Sequence, residues 1–198
     1  MAETVHPTDP HHVVCVGDAL CSRRAGATET LERICRVRLP DRPWKFWHQG
    51  EVGAAADAFR EEAIWRALGL GAGRLLLSLG SAEVASGQPV EKSLESVRAC
   101  MDLLSDKGPR ELWLVLPAPS LWPLDARVAC GALREGLAES RGRWNFVDPQ
   151  DAVSRFLEAQ SVHPDLAVGL MEDSGADPVP TATGAQLLAE RIFQAWTP

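Results

Sequence analysis

Asp18, His48 and Glu83 combine side chains capable of chemistry with positions suited to it, because each falls where a short apolar run gives way to a turn. A carboxylate and an imidazole within hydrogen-bond reach could activate water as a general base. Cys15 and Cys21 flank the turn that carries Asp18, and a thiolate there would be a nucleophile. Cys15, however, lies inside the run Val13-Val14-Cys15-Val16, where burial raises a thiol pKa and makes the group inert. His163 stands in Val162-His163-Pro164-Asp165, and His6, His11 and His12 lie in a Pro-containing N-terminal segment that reads as a solvated arm. The five cysteines form no C-x-x-C pair and have no histidine at zinc spacing, so neither a metal nor a disulfide framework is expected. No Gly-rich loop follows a strand and opens a helix, and the glycines from 69 to 73 precede an apolar run, so no nucleotide or other cofactor is implied.

The elements that would position these residues alternate regularly. Val13 to Val16 reads as a buried strand running into Gly17-Asp18, and Thr28, Leu31, Ile34, Cys35 and Arg38 share a helix face that ends before Pro40. Trp44 to His48 is a second strand, followed by Val52, Ala55, Ala56, Phe59, Ala63 and Ala67 at helical spacing. Arg74 to Leu79 is apolar almost throughout, as a strand covered on both faces must be. An amphipathic helix with Val90, Leu94, Val97, Met101 and Leu104, a strand from Glu111 to Leu116, a helix over Leu124 to Leu137, a strand from Arg143 to Val147 and a helix from Thr183 to Ala195 complete the chain. Five strands alternating with helices predict an α/β parallel sheet covered on both faces, in which ligands bind beyond the carboxyl ends of the strands. One domain over 13-198 is expected, preceded by a flexible arm over 1-12.

The loops at those strand ends resemble the sequence blocks of the SGNH (GDSL-type) hydrolases, a family of esterases. Val14-Cys15-Val16-Gly17-Asp18-Ala19-Leu20 is similar to the G-D-S-L block, and His48-Gln49-Gly50-Glu51-Val52-Gly53 to the N-x-x-x-x-G block. Leu79-Gly80-Ser81-Ala82-Glu83 stands in the place of G-x-N-D, and Val179-Pro180-Thr181-Ala182-Thr183-Gly184 resembles the end of D-x-x-H-P-T-x-x-G. The resemblance runs from Val13 to the end and implies a three-layer α/β/α sandwich with strand order 2-1-3-4-5. It also sets Ala19 in the place of the nucleophilic serine, Ala82 in that of the oxyanion-hole asparagine, and Val179 and Ala176 in those of the histidine and aspartate. A methyl group cannot attack a carbonyl, and losing an oxyanion donor of that kind costs about 3 to 4 kcal/mol. Gly53 is the retained oxyanion glycine. The resemblance therefore implies a degenerate member without the family's chemistry, with Gly17, Asp18, His48, Gly80, Glu83 and Asp177 as a possible residual cleft.

A function by binding follows as the expectation, with weak ester or acyl hydrolysis by displaced residues as the alternative. The seven Trp are candidates for a partner surface, since Trp is the residue type most enriched at binding hot spots. In the implied strand order Trp44, Trp47 and Trp144 lie on sheet edges and Trp122 beside the cleft. Another protein or a second copy is the expected partner, and the apolar Ala19, Ala82 and Val179 would suit a small uncharged acyl or aromatic ligand. The 198 residues carry 20 Lys+Arg against 27 Asp+Glu, a net −7, which opposes nucleic acid and anionic membranes. With 45% hydrophobic and 24% charged residues the composition is that of a folded globular protein. No apolar run approaches the ~20 residues of a membrane span and no secretory signal opens the chain, so the expected location is the cytoplasm.

Overall fold

A computed structural model describes residues 9–23, 26–59, 62–122, 124–140, 142–159, 170–172 and 179–197. Its centre is a five-stranded parallel sheet in the order β2-β1-β3-β4-β5, as predicted. The strands are β1 (Asp9–Gly17), β2 (Lys45–Gly50), β3 (Ala72–Ser78), β4 (Glu111–Val115) and β5 (Trp144–Val147). Val14 and Val16 of β1 join Leu75, Leu77, Leu112 and Leu114 in the larger core, whereas Val13 and Cys15 join Leu76, Val115 and Val147 on the opposite face. This period of two, apolar on both faces, is what a central strand requires.

The first face is covered by α2 (Ala56–Phe59), α3 (Glu62–Gly69), α5 (Val90–Lys107) and α6 (Leu124–Ala138), and the second by α1 (Ala27–Arg38) and α8 (Ala182–Trp196). The short α4 (Ser81–Ala85) follows β3 directly, and α7 (Gln150–Ala159), which hydropathy did not single out, packs on α8. Two short strands, β6 (Met171–Glu172) and β7 (Val179–Pro180), pair antiparallel ahead of α8. No helix among the described residues is long and apolar enough to cross a membrane.

Two boundaries differ from the sequence expectation. The segment read as an arm over 1-12 is already strand from Asp9, where β1 pairs with Ala72 of β3; residues 1–8 lie outside the described residues. The helical spacing from Val52 to Ala67 is divided between α2 and α3. Helix begins only at Ala56, after Gly53 has turned into the left-handed region at φ 78°.

The turn after β1 depends on one glycine. Gly17 has φ 143°, and a Cβ placed on it would stand 1.7 Å from the Ser78 carbonyl oxygen. Neither the conformation nor the space admits a side chain. Gly17→Ala is therefore expected to cost about 3 kcal/mol or more in urea denaturation, against about 1 kcal/mol for Gly87→Ala, where φ is also positive but no atom lies within 4 Å.

Candidate functional site

Beyond the carboxyl ends of β1, β3 and β4 lies a cavity of about 60 Å³, lined by Asp18, Ala19, Ser78, Ser81, Trp122 and Pro180 among other, mostly apolar residues. Its polar groups face one another. Asp18, only 3% exposed, caps the 3-10 turn Ala19–Cys21, its Oδ1 accepting from Leu20 N–H at 3.3 Å and from the Ser78 hydroxyl at 2.9 Å. The Ser81 hydroxyl donates to Asp18 Oδ2 at 2.5 Å, and Asp18 N–H donates to the Ser78 carbonyl at 2.9 Å. A buried carboxyl group is tolerable only with such partners, so the hydrogen bonds that satisfy Asp18 also tie it to its neighbours.

Ala19 is buried in the cavity wall with its methyl group where the resemblance expects a nucleophile. Ala82 is buried on α4, next to the lining residue Ser81. Val179 lies in β7, which packs on the turn Ala19–Cys21, so the last sequence block reaches the same end of the sheet as the first. The retained Pro180, Thr181 and Gly184 have structural duties. Pro180 lines the cavity, and Thr181 caps α8 by accepting from Gly184 N–H at 3.2 Å. A Cβ on Gly184 would sit 2.0 Å from the Leu170 carbonyl oxygen.

Several expected cleft residues are elsewhere. His48 is not in a loop but inside β2, with its ring turned toward α1. Its Nδ1 is 2.8 Å from the Thr28 hydroxyl and its Nε2 3.1 Å from Glu32 Oε2, to which Nε2–H donates. This resembles a hydroxyl, imidazole and carboxylate series, but Thr28, in the first turn of α1, is fully buried against the sheet and offers no substrate access. Glu83 is also buried, and its Oε1 accepts from Ala56 N–H at 2.5 Å, fixing the start of α2. Gly17 packs on Ser78 and Gly80 on Leu133, while Gly53 lies in the turn before α2. The proposed assembly of Asp18, His48 and Glu83 therefore does not form. Asp177, Ala176 and His163 lie outside the described residues.

The tryptophans need a similar correction. Trp44, Trp122 and Trp144 are buried, and of the expected surface only Trp47 is open, at 50% exposure. Trp44 packs edge-on to His11 and close to Arg74, Trp122 forms cavity wall, and Trp144 Nε1 donates to Ser105 Oγ at 2.8 Å beneath α5. Covering helices and local polar partners have taken rings that a strand-edge position left free. Sequence reasoning missed Ser78 and Ser81. The signals were a lone hydroxyl in the apolar run Leu75 to Leu79, and another directly after Gly80.

All five cysteines are free and buried. Burial pushes the Cys15 and Cys21 thiols well above their ordinary range, and Cys35 and Cys130 up to about 12. Among the described residues no group of three His, Cys, Asp or Glu side chains could hold a metal ion.

No protein-family model matches the sequence, and no curated protein does. Solved structures do match. A putative lipolytic protein of the G-D-S-L family from Desulfitobacterium hafniense superposes with a TM-score of 0.69 at 17% identity, over 93% of this chain and 99% of that one. The acetylxylan esterase Axe2 from Geobacillus stearothermophilus gives 0.72 at 12% identity, over 96% of each chain. LAE5, an α/β hydrolase from the metagenome of Lake Arreo, gives 0.67 at 18% identity, again over 96% of each. At these identities the similarity establishes the SGNH-hydrolase-like fold.

Removing the Asp18 carboxylate would orphan Leu20 N–H and two serine hydroxyls. Asp18→Ala is expected to lose about 2 to 3 kcal/mol of stability, and Asp18→Asn less, because its amide can still accept from Ser78 while donating to Ser81; chemical denaturation measures both. The raised thiol pKa values favour the folded state below the pKa of the unfolded thiols. That contribution should fade as pH rises from about 9 toward 12, and Cys35→Ala should flatten the decline in melting temperature over that window.

Proposed function

We propose that the chain is an SGNH-type domain without ester hydrolysis, acting by binding in the cytoplasm. One observation carries the reading: Ala19 lines the cavity at the nucleophile's expected place, while the adjacent Asp18, Ser78 and Ser81 are hydrogen-bonded to one another. Transition-state stabilisation needs a nucleophile, a base and donors aimed at an oxyanion. Here the carboxylate nearest to a hydroxyl already accepts from three donors, one of them main-chain N–H. The five cysteines, none of them in a disulfide, suit a reducing compartment.

What the cavity would hold follows from its size and lining. About 60 Å³ is about four times the least space that admits one water, and a benzene-sized site needs about 150 Å³. An uncharged acyl group of a few atoms, or the tip of an apolar side chain from another protein, fits that space. An aromatic ring requires the cavity to widen.

The alternative, hydrolysis by displaced residues, would draw on the Asp18 carboxylate, and of its two serine neighbours Ser81, with Oγ 2.5 Å from Oδ2, forms the closer pair. Assay of p-nitrophenyl acetate separates the readings. The purified protein is expected to release p-nitrophenol no faster than a heat-inactivated sample. Turnover above that background, abolished by Ser81→Ala, would replace the binding reading with catalysis by this pair.

A further inference from the structure

Among the described residues β2 is an edge of the sheet and pairs only with β1. Glu51 N–H donates to the Gly17 carbonyl at 3.0 Å, which fixes the direction of the main-chain groups along the strand. Because these groups alternate sides, Lys45, Trp47 and Gln49 point theirs at β1, whereas Phe46, His48 and Gly50 point their N–H and C=O outward. None of the latter has a partner on that side among the described residues. His48 shows that the edge is open. Its side chain is 1% exposed, yet the residue as a whole keeps intermediate exposure, so the accessible surface is its main chain. Gly50, which is all main chain, is exposed to a similar degree.

Native edge strands are commonly blunted by proline, a bulge or an inward charge. From Lys45 to Gly50 there is no proline, the register with β1 is unbroken, and the one charge stands at the start. That charge has a complement, because Lys45 and Glu51 lie at opposite ends of the strand and both are exposed. Running a second copy antiparallel with His48 opposite its own equivalent brings each Lys45 against the other chain's Glu51. The same register pairs Phe46 with Gly50, so that outward groups meet outward groups, and sets Trp47 opposite Gln49 and diagonal to the second Trp47. A shift to the next allowed register in either direction would take Glu51 away from Lys45. The other edge, β5, is shorter and keeps its Trp144 buried.

We propose that the protein forms a two-fold homodimer through antiparallel pairing of β2 with β2 of a second copy, centred on His48 and extending one sheet across both chains. Such an interface is isologous, so each residue contact occurs twice. Trp47, half-exposed in the single chain, is covered by its counterpart across the axis. The dimer does not depend on the cleft's chemistry: detection of ester hydrolysis would overturn the proposed function and leave this edge as it is.

Sedimentation velocity across a wide concentration range tests the pairing. The unmodified protein is expected to show a reversible dimer, and Lys45→Glu and Glu51→Lys should each raise the dissociation constant about tenfold through doubled like-charge contacts. Combining the two reversals should restore dimerisation, a result that simple damage to the edge would not give. Both positions are exposed, and circular dichroism checks that the variants fold. An equimolar mixture of Lys45→Cys and Glu51→Cys proteins should form a mixed disulfide on mild oxidation, since the native thiols are buried. A monomer at every concentration, or a dimer indifferent to the reversals and uncrosslinked in the mixture, would overturn the proposal.

Discussion

The Asp18 carboxylate, buried at the end of β1, is shared by the Leu20 main chain, the Ser78 hydroxyl at the end of β3 and the Ser81 hydroxyl at the start of α4. Burying a charge without partners costs far more than a domain of this size can absorb, so these three stretches must close on Asp18 together. Their closure shapes the cavity wall. It also determines what that wall offers a ligand, because the hydroxyls nearest the cavity are already donating inward.

Main-chain demands account for the motif residues that remain. Gly17 lies against the Ser78 carbonyl, Gly184 lies against that of Leu170, and Thr181 caps α8. Each is held by geometry that any chain with this loop path must satisfy, whatever its chemistry. Ala19, Ala82 and Val179 carry no such duty. Of the three, Ala19 stands in the cavity wall, where a methyl group closes the space without needing the partners a polar side chain would.

Arg74 explains much of the tryptophan content. It lies on central strand β3, paired with Glu111 at 2.6 Å and set 5.8 and 5.5 Å from the rings of Trp44 and Trp196. Trp113 packs on Trp196 in the same group. Large flat rings cover the stem and face of a guanidinium while its head reaches a carboxylate, a combination that smaller apolar residues would not supply. Three of the seven Trp thus gather around a cation built into one face of the sheet, and Trp47 lies on the edge strand outside that group.

The alternation of apolar runs and helical spacing was sufficient for a parallel sheet with two covered faces, because periods of two and 3.6 are local properties of the chain, whereas the strand order came only with the resemblance of the loop blocks to the SGNH hydrolases. The same resemblance implied that the loop after β1 and the block before α8 meet at one end of the sheet. Which side chains meet there was a tertiary matter. His48 was legible as a strand-end histidine, yet one residue of alternation sends its ring to Thr28 and Glu32 on the opposite face. Glu83 was legible as an acid beside the cleft, but the start of α2, distant in sequence, supplies the N–H that it accepts. Ser78 and Ser81 acquire meaning only when β3 is laid against β1, since a hydroxyl's partner is decided by the neighbouring strand and not by the residues beside it in the chain.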